Sequence, residues 1–247
     1  MPDLRARARL PLPGRADIGI TRPGAYAQYV AVPARQLVAL PPELPVELGA
    51  HAEQLSVAMQ AVSLARVGPG DPVLVYGAGP IGLYAIMALR LAGAGPVVAA
   101  GRSEGRRAVA ADVGADVVLD TRSQPVTSWA EETGTKFAAA LECSASPVAF
   151  GELLTVLEPG GSCVEVALTP EAASVPLFYM LSEGLHLAGS CAFSDETYHA
   201  AVGHLINGRV PVQRLVSERV SLADTPSALL RLRTPGTLVR ILSRPWD

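Results

Sequence analysis

Three glycines, Gly77, Gly79 and Gly82, stand in the order G-x-G-x-x-G just past a short apolar run, Val73-Leu74-Val75-Tyr76. Residues 83–91 then have the composition of a mostly apolar helix, and Gly93 and Gly95 punctuate the chain before a second apolar run over 96–100. Strand, glycine turn, helix and strand is the context in which this spacing binds a dinucleotide. Gly77 permits the tight turn, Gly79 lets backbone approach a pyrophosphate, and Gly82 lets the helix pack close to its strand. Free N–H groups at the helix start attract the phosphates. A ligand-free glycine turn is the plainer reading, but it needs no such fixed spacing.

The tip of the second run selects the dinucleotide. A site for NAD usually carries Asp or Glu about 20 residues past the glycines, where it binds the ribose hydroxyls. Here Gly82 is followed nineteen residues on by Gly101, then by Arg102, Ser103, Arg106 and Arg107. A 2′-hydroxyl finds no acceptor there, whereas guanidiniums and a hydroxyl suit a 2′-phosphate. The sequence therefore predicts NADP(H) in preference to NAD(H). The competing reading is a solvated basic helix face, partly offset by Glu104.

Those groups need strands and helices in alternation to hold them. The pattern predicts a long helix over 48–65 carrying His51, Glu53 and Gln54, then the glycine unit. A helix over 103–113 follows, with Gly114 past its end, and a third strand over 116–120. Further strands are expected over 137–143, 162–168 and 185–192, with a helix over 147–157 and a turn at 158–161. A helix over 196–207, a strand over 214–220, a helix start at 221–224 and a strand over 237–242 complete the pattern. Such alternation means an α/β fold with a parallel, doubly wound sheet. Near the start, residues 24–40 alternate Tyr26, Gln28 and Val30 with Ala25, Ala27 and Tyr29, which predicts one or two strands. Residues 1–23 hold four prolines and five arginines and read as an irregular arm.

Composition excludes several classes. The chain has 247 residues, 49% hydrophobic and only 17% charged, enough for a sizeable core. A net charge of −3 argues against nucleic acid or an anionic membrane as partner. Cys143, Cys163 and Cys191 lie far apart in apolar runs, so they read as buried core residues and fit a reducing cytoplasm. The opening MPDLRARARL has no apolar signal region and no run reaches membrane length, so neither a leader nor a span is expected. The four histidines, His51, His186, His199 and His204, are scattered. His51 and Glu53, two apart on a helix, point to different faces.

Several stretches in the right order resemble the medium-chain dehydrogenase/reductase superfamily, in its zinc-type alcohol, polyol and threonine dehydrogenase branch. They are Gly24-Ala25-Tyr26-Ala27-Gln28-Tyr29-Val30, Glu53-Gln54-Leu55-Ser56-Val57-Ala58, and residues 67–75 leading into Gly77-Ala78-Gly79-Pro80-Ile81-Gly82. Gly114-Ala115-Asp116, Glu142-Cys143-Ser144-Ala145 and Leu157-Glu158-Pro159-Gly160-Gly161 extend the match over about nine-tenths of the chain.

The resemblance implies a Rossmann sheet set into a GroES-like barrel, with an active site between them. It implies a division into an N-terminal arm and barrel remnant (1–46), a dinucleotide-binding domain (47–193) and a return to the barrel remnant (194–247). Pro80 and Ile81 would lie beside the pyrophosphate and nicotinamide ribose, and Gly101, Arg102, Ser103 and Arg106 around the adenosine ribose. Cys143 and Ser144 would flank the adenine side, and Val166 and Ala167 the nicotinamide. The implied reaction is hydride transfer between NADP(H) and an alcohol or carbonyl compound, in a homodimer joined through the strand at 185–192.

One departure qualifies this. The family's catalytic Cys, its His–Glu pair and its four-cysteine zinc lobe lie before the Gly24 stretch, where this chain has twenty-three residues and neither Cys nor His. Of the zinc sphere only Glu53 has a counterpart, and a catalytic zinc needs three protein ligands, so no family-type zinc is expected. A metal-free reaction would need another donor, with Tyr26, Tyr29, His51 and Glu53 as candidates. Two other readings stay open: a catalytically inactive NADP(H)-binding remnant serving as sensor or partner subunit, and a truncated ordinary zinc dehydrogenase. An incomplete barrel also implies open strand edges and exposed apolar surface.

Overall fold

A strand buried on both faces is apolar at successive positions, and four such runs form the centre of the structure. The computed structural model describes residues 17–233 and 236–246, so the arm expected over 1–23 falls mostly outside the described residues. In chain order the elements are α1 (Val46–Gly49), α2 (Ala52–Leu64), β1 (Val73–Tyr76), α3 (Pro80–Ala92), β2 (Val97–Gly101) and α4 (Glu104–Asp112). Next come β3 (Val117–Asp120), α5 (Val126–Thr133), β4 (Phe137–Glu142), α6 (Pro147–Thr155), β5 (Leu157–Glu165) and α7 (Leu177–Ser182). The chain continues through β6 (His186–Gly189), α8 (Asp195–Ile206), β7 (Val216–Ser221), α9 (Thr225–Arg233) and β8 (Arg240–Arg244).

Six strands pair in parallel in the order β3-β2-β1-β4-β5-β6. The order reverses between β1 and β4, which opens a crevice at the carboxyl ends of the strands. Alternate residues feed opposite cores. Val73, Val75, Leu141 and Val164 pack with Leu55 of α2 and Leu83 and Ile86 of α3. Leu74, Val98, Ala140 and Cys163 pack with Phe137, Leu153 and Leu154 on the other face. β7 and β8 form a separate parallel pair.

Helix ends follow local chemistry. Pro80 opens α3 behind Gly79, and Gly93, at φ +78°, ends it in the left-handed conformation. Ser103, Ser146 and Ser194 cap α4, α6 and α8 by accepting from the N–H groups of Arg106, Ala149 and Thr197.

Two expectations are corrected. Residues 24–40 form no strand; they hold only a 3-10 turn at Ala34–Gln36. A strand's N–H and C=O groups need a neighbouring strand; among the described residues none pairs with this stretch, and Tyr26 and Tyr29 stand 69% and 81% exposed. Tyr29 meets Trp246 edge-on at 5.2 Å instead. The turn expected at 158–161 lies inside β5, where the register with β4 slips between Phe137 and Ala139 and Gly160 takes φ +80°. The sequence pattern registered the bulge as a break. The short helices α5 and α7 had no clear periodic signal, and α7 leaves Leu177, Phe178 and Leu181 exposed ahead of the edge strand β6.

Among the described glycines the tightest approach is at Gly82, where a Cβ would stand 1.9 Å from the Gly77 carbonyl oxygen. Gly82→Ala is expected to destabilise the protein by about 3 kcal/mol, because backbone must move to admit the methyl. A lowered urea midpoint at unchanged slope is the expected reading, and an unshifted midpoint would refute it.

Candidate functional site

The carboxyl ends of β1, β2, β4 and β5 bring the glycine turn and three other turns to one edge of the sheet. Gly77 sits at φ +110°, and a Cβ there would lie 2.7 Å from the carbonyl carbon of Cys143 and 2.7 Å from the amide nitrogen of Ser144. Bare backbone is therefore required where the first turn meets the turn after β4. Gly79 is the opposite case: no neighbouring atom lies within 4 Å of its Cβ position. That open space, at the amino end of a thirteen-residue helix, is what a pyrophosphate needs. Pro80 and Ile81, half-buried, form the first turn of that helix.

The β2 tip forms a second wall. Gly101 is buried, and a Cβ on it would stand 2.9 Å from the Cβ of Ala78. The packing leaves no room for an acidic side chain. Arg102 is exposed and makes no hydrogen bond or ion pair among the described residues. Ser103 Oγ donates to the Gly236 carbonyl at 2.8 Å, and Arg106 Nε donates to the Leu238 carbonyl at 3.0 Å. Arg107 is occupied elsewhere, pairing with Asp120 at 2.9 Å and donating to the Gly101 carbonyl at 3.1 Å. Asp120, at the end of β3, is held well below the usual carboxylate range, chiefly by hydrogen bonds from Arg122.

A third wall follows β4. Glu142 is buried, and its carboxylate accepts from Ser144 N at 2.9 Å, from Ala145 N at 3.0 Å and from Ser144 Oγ. Ala145 takes φ +60° under that clasp. Burial first, and then the neighbouring carboxyls, push the Cys143 thiol far above its ordinary value and Cys163 to about 12. Neither thiol is a nucleophile at neutral pH. After β5, Val166 and Ala167 donate to the Glu142 carbonyl at 3.0 and 3.2 Å. They border a cavity of about 290 Å3 that also meets Gln60, Glu165, Ser190 and Cys191.

His51 and Glu53 lie at the start of α2, and the structure does not bring them together. His51 is turned into the core, with Nδ1 2.6 Å from the Tyr84 hydroxyl. Tyr84 in turn accepts from Arg240 Nη1 at 3.1 Å, so one hydroxyl bridges the His51 ring and the Arg240 guanidinium. Burial first, then the Arg240 charge, lower His51 to about 4, and burial raises Tyr84 to about 12. Glu53 reaches solvent, yet neighbouring atoms strip enough hydration to raise its carboxyl, against the pull of Arg240. Among the described residues no three His, Cys, Asp or Glu side chains converge as a ligand set, so these residues do not fit a catalytic zinc.

Sequence reasoning missed Tyr84 and Arg240 as partners of His51, and it missed Glu142 and Glu165 as a pair. The signal for the pair was present: each is the one acid in its apolar run, 137–143 and 162–168. Arg240 lay inside an apolar run in the same way.

Because His51 is lowered from 6.5 to about 4 on folding, its contribution to stability is complete above pH 6.5 and is lost as pH falls towards 4. An imidazole titration followed by NMR is expected to show His51 uncharged throughout the physiological range. Tyr84→Phe removes the partner of both His51 and Arg240 and is expected to destabilise by about 1–3 kcal/mol. An unchanged urea midpoint would count against that network.

Residues 80–207 match the family described as zinc-binding dehydrogenase. The chain is 30% identical over 221 residues to an L-threonine 3-dehydrogenase of Chelativorans sp. (strain BNC1), covering 88% of this chain and 63% of that protein. Among solved structures, a protein of Sinorhizobium meliloti 1021 bound to NADP superposes with a TM-score of 0.86 at 27% identity, covering 92% of this chain and 68% of that one. A short chain alcohol dehydrogenase of E. coli CFT073 complexed with NADH gives a TM-score of 0.89 over 93% of this chain and 68% of that one; at 22% identity it speaks for the fold alone. The chain spans about 60% of the length of the curated relatives it matches. A doubly wound sheet, a glycine turn at its switch point and this family match together place the chain in the zinc-binding dehydrogenase family of the medium-chain dehydrogenase/reductase superfamily.

Proposed function

We propose that this protein is an NADP(H)-dependent oxidoreductase that moves a hydride between nicotinamide and an alcohol or carbonyl carbon without a family-type zinc. The observation that carries this reading is the open, backbone-lined turn at Gly79 beside a β2 tip that has Arg102 and no carboxylate. The α3 amino end and Gly77, Gly79, Pro80, Ile81 and Gly82 would hold the pyrophosphate. Arg102, the Ser103 hydroxyl and the two terminal nitrogens of Arg106 would take the 2′-phosphate, with Gly101 keeping the tip bare. Cys143 and Ser144 would flank the adenine side, and Val166 and Ala167 the nicotinamide. The S. meliloti relative solved with NADP supports the cofactor class.

The nicotinamide, when bound, supplies the hydride acceptor or donor. This chain's part is to orient it, exclude water and handle a proton at the substrate oxygen. For that proton Glu53 is the proposed group, since it reaches solvent and its carboxyl is raised. His51 would act only indirectly, by fixing Tyr84 and, through it, Arg240. The working unit is proposed to be a cytoplasmic homodimer joined through β6, an edge strand with exposed residues. The boundaries at 46–47 and 193–194 remain the proposed domain limits.

A second reading is a cofactor-binding chain without turnover, a sensor or partner subunit. The burial of His51 favours it, because one of the two candidate acid–base groups is withdrawn from the cleft.

Titration of one sample with NADPH and NADH, with metal analysis alongside, tests the assignment. Arg102→Ala is expected to weaken NADPH binding about 10- to 100-fold, the loss of a charge-assisted hydrogen bond, and to leave NADH nearly unchanged. Equal affinity for the two nucleotides in the unsubstituted protein would overturn the NADP preference. Aldehyde or enone reduction by metal-free protein would separate the enzyme from the sensor.

A further inference from the structure

Glu142 and Glu165 stand side by side at the carboxyl ends of β4 and β5, paired in register. They are the last residues of their strands, and they lean to the same face because residues in register on neighbouring parallel strands share a side. Glu142 is 1% exposed, and three donors from its own turn, Ser144 N, Ser144 Oγ and Ala145 N, are already on its carboxylate. Glu165 is different: its Oε1 is buried and has no hydrogen-bond partner. No Lys, Arg or His pairs with either acid among the described residues. The other titratable groups that face them are Tyr76 on β1, Cys143 just after β4 and Cys163 on β5, with Cys191 after β6 on the cavity that Glu165 borders. Glu152 of α6 reaches the same neighbourhood through Tyr76, whose hydroxyl Arg102 influences in the opposite sense. None of these supplies a counter-charge in contact with the pair.

The turn that Glu142 clasps is the one against which Gly77 closes, with backbone so near that no Cβ fits between them. A change in the charge beside Glu142 is therefore passed to the glycine turn through one carboxylate and three hydrogen bonds. We infer that Glu165 is a positioning residue for the dinucleotide: by holding a proton it lets Glu142 keep the 143–145 turn pressed against Gly77, and by losing that proton it loosens the cleft. The inference rests on the cofactor reading above.

The chemistry is a single proton held between two carboxyls. While Glu165 is neutral, its hydroxyl faces Glu142 as a donor and no like-charge repulsion acts. Once it ionises, two negative charges stand on adjacent strand ends with no cation to separate them. Loss of solvent, reinforced by Glu142, pushes the Glu165 carboxyl up to about 7, with the Ala167 N–H opposing. Glu165 thus changes its charge near neutrality. A bound pyrophosphate adds negative charge at the same edge, so binding favours the protonated form and draws in a proton.

The test compares unsubstituted protein with Glu165→Gln, which keeps the shape and the neutral state. NADPH dissociation constants are measured between about pH 6 and pH 8.5, with thermal unfolding of both proteins alongside. The ratio of the two cancels the titration of the ligand's own 2′-phosphate. The expected result is agreement near pH 6 and binding about tenfold weaker in the unsubstituted protein near pH 8.5, the effect of a one-unit coupled shift. A ratio that stays flat, with NADPH bound by both, overturns the role of Glu165 and leaves the cofactor reading intact. No binding by either protein at any pH overturns the cofactor reading, and the role of Glu165 with it. Should Glu165→Gln not fold, calorimetry of NADH binding to the unsubstituted protein in two buffers of different ionisation heat decides. Proton uptake near pH 7 supports the inference, and none overturns it.

Discussion

Close approach at three positions that leave no room for a side chain is the constraint on which this molecule depends. Gly82 meets the Gly77 carbonyl, Gly77 meets the turn after β4, and Gly101 meets Ala78. The first contact seats α3 on the turn after β1, and the other two set that turn against the ends of β4 and β2, so the crevice between them has fixed walls. The helix that begins there is buried along most of its length, from Gly82 to Leu89. Its amino end is thus anchored by the core while its first N–H groups stay open.

Electrostatics around the crevice follow from where the acids are put. Asp120 is one strand further out and is held by Arg107 and Arg122. Glu142 lies inside, closed over by its own turn. The rim nearest the glycines is left to backbone amides, one serine and the arginines. An anion entering there meets donors, while the carboxylates of Asp120 and Glu142 are already satisfied by their own partners. Such an arrangement discriminates by charge before any close fit is needed.

Most of the sheet was legible because buried parallel strands are written as short apolar runs, and Val73–Tyr76 matches its expected bounds residue for residue. Gly114 marked the end of α4 for the same local reason that operates in the structure, where it takes φ +120°. What failed was whatever depended on a neighbour. The alternation around Tyr26 and Tyr29 is the pattern of a half-buried strand, but pattern alone forms no hydrogen bonds. His51 looked available because its sequence neighbours were helical; only Tyr84, thirty-three positions away, shows that its ring is occupied. The β5 bulge was misread because a positive-φ glycine signals a turn or a bulge with equal force. Long-range pairs such as Glu142 with Glu165 need strand register, which local pattern does not contain.

The stretch between α9 and β8 has a further consequence. Its carbonyls at Gly236 and Leu238 already sit on Ser103 and Arg106, and Thr237 packs where a side chain on Gly105 would go. A ligand that recruits the Ser103 hydroxyl must first evict a peptide oxygen, so the far end of the polypeptide competes internally for the same donor. Arrival at the adenosine pole would thereby be communicated to the β7–β8 ribbon, which makes the tail a natural place for a spectroscopic reporter of occupancy.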